Sequence, residues 1–184
     1  MKRSLRVFWA AAAAVLLGCV FGCAFAGGDA GSSSSAGRPA AALSSDGGYT
    51  IRVPDGWRKL DGLSEDAILS CGGPAREQYL IIIPDSRSAT GMTLQEYTSV
   101  VLHQISAGLE DAAIGQSAEF PIGEHAALRT QVSGTVEGVK VRYLVYTAGF
   151  PEDYLQIVAW TLEEKADETQ PLFDEIVRTL SAGE

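Results

Sequence analysis

The sequence predicts an α+β domain in which an antiparallel β-sheet is sandwiched between helices. Three observations predict it. Residues 79–83 and 154–160 are apolar almost without a break, the mark of strands covered on both faces. Two other segments, one mid-chain and one terminal, repeat apolar residues at three- and four-residue spacing, as helices lying on a sheet do. Between them, Glu137 and Gly138 separate two strand-like runs and read as a hairpin turn. Helix, sheet and helix in layers bury both faces of such a sheet.

In chain order, residues 1–23 read as an export signal. Lys2, Arg3 and Arg6 precede an apolar run from Val7 to Phe21, too short for the ~20 residues that comfortably span a bilayer. Two glycine-preceded cysteines follow, in Leu16-Leu17-Gly18-Cys19 and Val20-Phe21-Gly22-Cys23. Both look like the lipobox of bacterial lipoproteins, which places the protein outside the cytoplasm on a lipid tether. Cys23 leads directly into small and polar residues. Cys19 would leave Val20 and Phe21 at the start of the mature chain. Ala24-Phe25-Ala26 is also an ordinary signal-peptidase site, which would release the chain. Two acyl chains on one cysteine hold a protein stably at a membrane.

Residues 24–48 are mostly Gly, Ser, Ala and Asp. They lack apolar periodicity and read as a flexible linker. The folded domain is expected over 49–182. Roughly 135 residues are enough for one core.

Tyr49-Thr50-Ile51-Arg52-Val53 alternates apolar and polar residues, a half-buried strand, and Pro54-Asp55-Gly56 turns the chain. Residues 67–71 form a short strand candidate. Thr93 and Glu96 form a capping box. Leu94, Tyr97, Val101, Ile105 and Leu109 then make one apolar stripe, which Gly108 and Glu110-Asp111 terminate. Strands are expected over 116–120, 127–136, 139–147 and 154–161. A two-residue turn at 137–138 pairs Val136 with Val139, Val132 with Tyr143 and Thr130 with Val145. A slip of one residue would set the two patterns against each other. The closing helix starts between Asp167 and Gln170, with Pro171 tolerated in its first turn. Its stripe is Leu172, Phe173, Ile176, Val177 and Leu180.

The chain carries 14 Lys+Arg against 23 Asp+Glu, a net of −9. Three of the basic residues lie in the leader, so its removal makes the chain more acidic still. That composition disfavours nucleic acid and anionic membrane surfaces as partners. Cys71 is the single cysteine of the domain, so no internal disulfide is available. His103 and His125 stand apart from any metal-ligand spacing. Asp61, Asp66 and Asp85 read as scattered loop carboxylates, and nucleophile elbows and phosphate loops do not occur. The reading is therefore a protein that is not an enzyme, with no cofactor, no metal and a monomeric domain; the lesser alternative is an unrecognised hydrolase, which would have to use His103 or His125. Arg129, Lys140 and Arg142 share the polar face of the hairpin and are the candidate binding residues, a docking patch for an acidic partner or anionic ligand. The alternative is internal pairing with carboxylates of a covering helix such as Glu168 or Glu175, or simple exposure to solvent. A pocket between sheet and helix lined by Trp57, Tyr143 or Trp160 would instead serve a small ligand, and core filling is the simpler role for these aromatics.

The opening Tyr49-Thr50-Ile51-Arg52-Val53-Pro54-Asp55-Gly56-Trp57 resembles the Y-x-I-x-x-P-x-G-W start of PsbP-like domains, including bacterial lipoproteins of the DcrB type. Ile122-Gly123-Glu124-His125-Ala126-Ala127 is similar to the turn that precedes their long hairpin. The resemblance covers nearly all of 49–182. It implies an α/β/α sandwich found in accessory and binding proteins. The implied function is that of a non-enzymatic cell-envelope lipoprotein that binds a protein partner or supports an envelope complex.

Overall fold

The computed structural model describes residues 41–45 and 47–183. The predicted leader, with Cys19 and Cys23, and most of the predicted linker lie outside these residues. Strands β1 (Ala41–Ser44) and β2 (Tyr49–Val53) open the fold as an antiparallel pair. Alternation in β2 is realised as the sequence predicts, with Tyr49, Ile51 and Val53 buried and Arg52 exposed. Residues 41–44, read from the sequence as part of the linker, form β1. Their composition carries no strand pattern. They pair because β2 offers an edge and Leu43 packs on the core.

Next come β3 (Arg58–Lys59), β4 (Leu69–Gly73) and β5 (Gln78–Ser86), then the short helix α1 (Arg87–Thr90) and α2 (Leu94–Ala107). After α2 the chain forms β6 (Glu110–Ile114), β7 (Ala118–Glu119), β8 (Ala127–Val136), β9 (Val139–Gly149) and β10 (Asp153–Leu162). Helix α3 (Ala166–Arg178) and β11 (Ser181–Ala182) close it. The large sheet is antiparallel in the order β3-β4-β5-β10-β9-β8-β6, with β7 also on β8. β1, β2 and β11 make a separate small sheet.

β8 and β9 pair in the predicted register, Val136 with Val139, Val132 with Tyr143 and Thr130 with Val145. The period of two then sorts side chains to two cores. One face carries Leu80, Ile82, Leu144, Tyr146, Leu155 and Ile157, covered by Phe173, Ile176 and Val177 of α3 and by the small sheet. The other carries Tyr79, Ile81, Val132, Tyr143, Val145, Val158 and Trp160, covered by Tyr97, Val101, Leu102 and Ile105 of α2. The antiparallel sheet between helices is thus observed.

Two elements differ from expectation. β6 occupies residues read as the end of a helix, and every one of its residues is exposed. Without a buried face it leaves no alternation to detect. α3 begins at Ala166, preceded by a 3-10 turn over Glu163–Lys165, so Pro171 falls inside the helix and beyond its first turn. Proline there removes one intrahelical bond. Packing of Ala166 and Thr169 and the ion pair of Asp167 hold the early start in place.

The capping box at α2 is complete. The Glu96 N–H donates to Thr93 Oγ1 at 3.3 Å, and Glu96 Oε2 accepts from the Thr93 N–H at 2.8 Å and its hydroxyl at 2.9 Å. The backbone donor first and the hydroxyl second hold the Glu96 carboxyl below its ordinary 4.5. A carboxyl whose pKa is lower folded than unfolded stabilises above the unfolded value, and that contribution disappears as pH falls through the folded value. Glu96→Ala is therefore expected to lower the thermal midpoint at about pH 7 and to change it little at about pH 2.5. An equal deficit at both pH values would assign the effect to helix propensity alone.

Candidate functional site

The hairpin face that carries the predicted basic residues lies under α3. On this helix Asp167, Gln170 and Asp174 fall at three- and four-residue spacing and share one side. Arg129 donates from an Nη to Asp174 Oδ2 at 2.5 Å. Gln131 Nε2 donates to Gln170 Oε1 at 2.5 Å. Arg142 donates to Asp167 Oδ1 at 2.5 Å, and through Nε and an Nη to both oxygens of Glu163. Hydrogen bonding to Glu163 is the first reason that the Arg142 guanidinium is raised above its ordinary value. Asp174 also accepts from the buried Tyr146 hydroxyl at 2.7 Å. Burial, then Asp174, push that phenol up, so it keeps its proton. Arg178 continues the line, its guanidinium 4.4 Å from the centre of the Phe120 ring.

Arg129 and Arg142 are therefore closed into a seam between β8–β9 and α3, and do not join Lys140 in an open basic patch. Internal pairing was the alternative expectation. Its carboxylates are Asp174, Asp167 and Glu163, in place of Glu168 and Glu175, which are exposed. Lys140 stays exposed, opposite Thr135. The signal that could have found these partners is the spacing of Asp167, Gln170 and Asp174 against that of Arg142, Gln131 and Arg129.

The three aromatics do not converge on one pocket, because they lie on opposite faces of the sheet. Trp57 is buried on the α3 side. Its indole N–H donates to Gln78 Oε1 at 3.4 Å, and its ring meets Phe173 edge-on with centroids 6.1 Å apart. Trp160 and Tyr143 are buried on the α2 side, where Trp160 stacks on Tyr79 with centroids 5.4 Å apart. All three fill the core.

A polar row that sequence reasoning missed runs beneath the first turns of α2. Asp85 lies in β5 and not in a loop. Its Oδ2 accepts from the Tyr97 hydroxyl at 2.6 Å and from Gln156 Nε2 at 2.8 Å. The Thr98 and Thr147 hydroxyls bond at 2.6 Å. Burial, and then the Asp85 hydrogen bond, push the Tyr97 phenol up and hold it neutral. The arrangement clamps helix to sheet and holds its protons.

On the opposite face at the same end, Tyr49 donates to Asp153 at 3.0 Å. Burial first, then Asp153, push its phenol up to about 12. His125 stacks on Phe150 with centroids 3.9 Å apart, and His103 is exposed on α2. Asp61 and Asp66 are exposed in loops. Cys71 is fully buried, and burial pushes its thiol up to about 12, far from the range of a reactive thiolate. Among the described residues no group of three or more His, Cys, Asp or Glu is placed to hold a metal ion, and no helix is long and apolar enough to cross a membrane.

No protein-family model matches the chain, and no curated protein matches it in sequence. Solved structures do share its architecture. The cyanobacterial PsbP (CyanoP) of Synechocystis sp. PCC 6803 superposes with a TM-score of 0.60 at 16% identity, over 83% of this chain and 98% of that one. LpqN, involved in cell envelope biogenesis of Mycobacterium tuberculosis, gives a TM-score of 0.55 at 16% identity, over 78% of this chain and 90% of that one. The Ran-binding protein Mog1p of Saccharomyces cerevisiae gives 0.52 at 12% identity, over 77% of this chain and 94% of that one. Identities this low speak to fold alone. The chain folds as a PsbP-like α+β sandwich.

Proposed function

We propose that the protein is a non-enzymatic lipoprotein of the cell envelope, of the DcrB kind, whose PsbP-like domain binds a protein partner. The observation that carries this reading is the packing of the domain. The aromatics that would line a ligand pocket are closed into two cores, and two of the three side chains of the predicted basic site, Arg129 and Arg142, are engaged by α3. Binding is thus left to outer surfaces, which suit macromolecular partners better than small ligands. The names of similar folds agree with partner binding, one being a Ran-binding protein and another being involved in envelope biogenesis. The two lipobox-like cysteines supply the location.

Replacing Cys23 with serine is expected to abolish labelling by a clickable palmitate analogue and to release the protein from membranes. Labelling that survives in Cys23→Ser and vanishes in Cys19→Ser moves the anchor to Cys19. An unlabelled native chain overturns the lipoprotein reading. In-cell crosslinking of the tethered protein, followed by mass spectrometry, is expected to return a defined envelope protein. Recovery of the uncrosslinked chain alone across growth conditions would remove the partner-binding reading.

A further inference from the structure

The two edges of the eight-stranded sheet are built differently. At one, β3 is two residues long and presents Arg58 and Lys59, both exposed. Short, charged strands blunt an edge against further pairing. At the other, β6 and β7 form the border along β8. Every residue from 110 to 119 is exposed, so neither helix buries this border, although α2 ends beside the start of β6. Its middle, residues 112–118, holds no charge and no proline. Ile114, at 48% exposure, and Met92 are the two large apolar side chains that stand exposed among the described residues.

The backbone direction follows from one hydrogen bond. The Gly115 N–H donates to the Gln131 carbonyl of β8 at 2.9 Å. Successive residues of a strand turn their N–H and C=O groups to opposite sides. Ile114 therefore presents both of its groups outward, away from β8. A bulge lies on the α2 side, between Glu110 and Ala113, where Asp111 adopts a φ of 52°. The register shifts again between Ile114 and Ala118. These irregularities confine the open ladder to a short run centred on Ile114. Acidic residues bound that run, Glu110 and Asp111 on one side and Glu119 on the other, in a chain of net charge −9. A second copy of the chain would bring that negative field against itself, whereas a cationic strand complements it.

Building on the partner-binding reading above, we propose that the β6–β7 border receives an extended segment of a protein partner as an added antiparallel strand. That segment is uncharged at its middle and carries lysine or arginine at its ends. Its main chain exchanges N–H···O=C bonds with Ile114, and its basic ends reach Glu110, Asp111 and Glu119. Main-chain bonds supply affinity in such strand addition, and the flanking charges supply selection.

The test titrates the synthetic peptide Lys-Thr-Val-Thr-Val-Thr-Lys into the isotope-labelled full chain and follows amide resonances and hydrogen exchange. The expected result is a response confined to residues 110–119 and β8, with exchange of the Ile114 amide slowed about ten-fold or more. Ile114→Pro removes the outward donor and breaks no bond to β8, and proline is tolerated at such an edge position. It is expected to keep the thermal midpoint and lose the response. Ile114→Lys keeps the backbone amide and is expected to weaken the cationic peptide through repulsion. A peptide with glutamate at both ends is expected to bind far more weakly at low salt. No response to the lysine-ended peptide, an equal response to the glutamate-ended one, or a full response in both variants overturns the proposal. So does self-association of the chain through the same residues. Crosslinking of an envelope partner that continues undiminished in Ile114→Pro removes this border and leaves the partner-binding reading standing.

Discussion

Phe173→Ala is expected to destabilise the domain by about 3–5 kcal/mol, the range for deleting a fully buried phenylalanine. Phe173 is 1% exposed and stands on the face of α3 that meets the sheet. It packs in one cluster with Leu80, Ile82, Tyr146 and Ile157, and Trp57 rests edge-on against its ring. The truncation removes transfer free energy and leaves a cavity between two rigid layers. α3 also meets β2 of the small sheet, and Trp57 loses its ring neighbour. Chemical denaturation checks the loss, and Trp57 fluorescence in the folded state reports the cavity. A cost below about 1 kcal/mol would mean that α3 repacks onto the sheet, contrary to the close packing of protein interiors.

Asp174→Ala is expected to cost about 2–4 kcal/mol, because it strands two partners at once. Arg129 loses its ion-pair carboxylate, and the Tyr146 hydroxyl, buried on the same face, loses its acceptor. The Arg129 side chain is 25% exposed and that of Asp174 12%, so solvent screens part of the Arg129 loss but little of the Tyr146 loss. Tyr146→Phe removes one bond and is expected to cost about 1 kcal/mol. A double-mutant cycle with Arg129→Ala separates the two contributions, with a coupling of about 1–3 kcal/mol expected for the ion pair. Reversal of Arg129 and Arg142 to glutamate sets like charges against Asp174, Asp167 and Glu163 and is expected to lower stability further than Asp174→Ala. Reversal that leaves stability intact would reopen these arginines as a docking surface.

Much of the fold was legible because its determinants are local. The β8–β9 register follows from a two-residue turn and from alternation that matches on both sides of it. The start of α2 follows from Thr93 and Glu96, three residues apart. The candidate site was only half legible. Periodicity placed Arg129 and Arg142 on one face of the hairpin, but their acceptors stand on α3 and the 3-10 turn before it, at separations of 21 and 25 for Arg142 and 45 for Arg129. Which carboxylates of α3 face the sheet depends on where that helix begins, and the 3-10 turn before Ala166 moved its start ahead of Asp167. β6 was illegible for a different reason. With both faces exposed, Glu110-Asp111-Ala112-Ala113-Ile114 carries no alternation.

By itself, then, the sequence determined the class of the fold, the two buried central strands, the hairpin register and the capped start of α2. Burial period, turn length and capping are written within a few residues of one another. Tertiary structure alone decided three other things. It made β1 a strand, because β2 presents an unpaired edge beside Tyr49–Val53. It turned a basic stripe into an ion-paired seam, because α3 docks with Asp167 and Asp174 toward β9 and β8. It left one border of the large sheet open and the other capped by Arg58 and Lys59. Each of these depends on which edge or charge the folded chain brings near, and that is a property of long-range contacts.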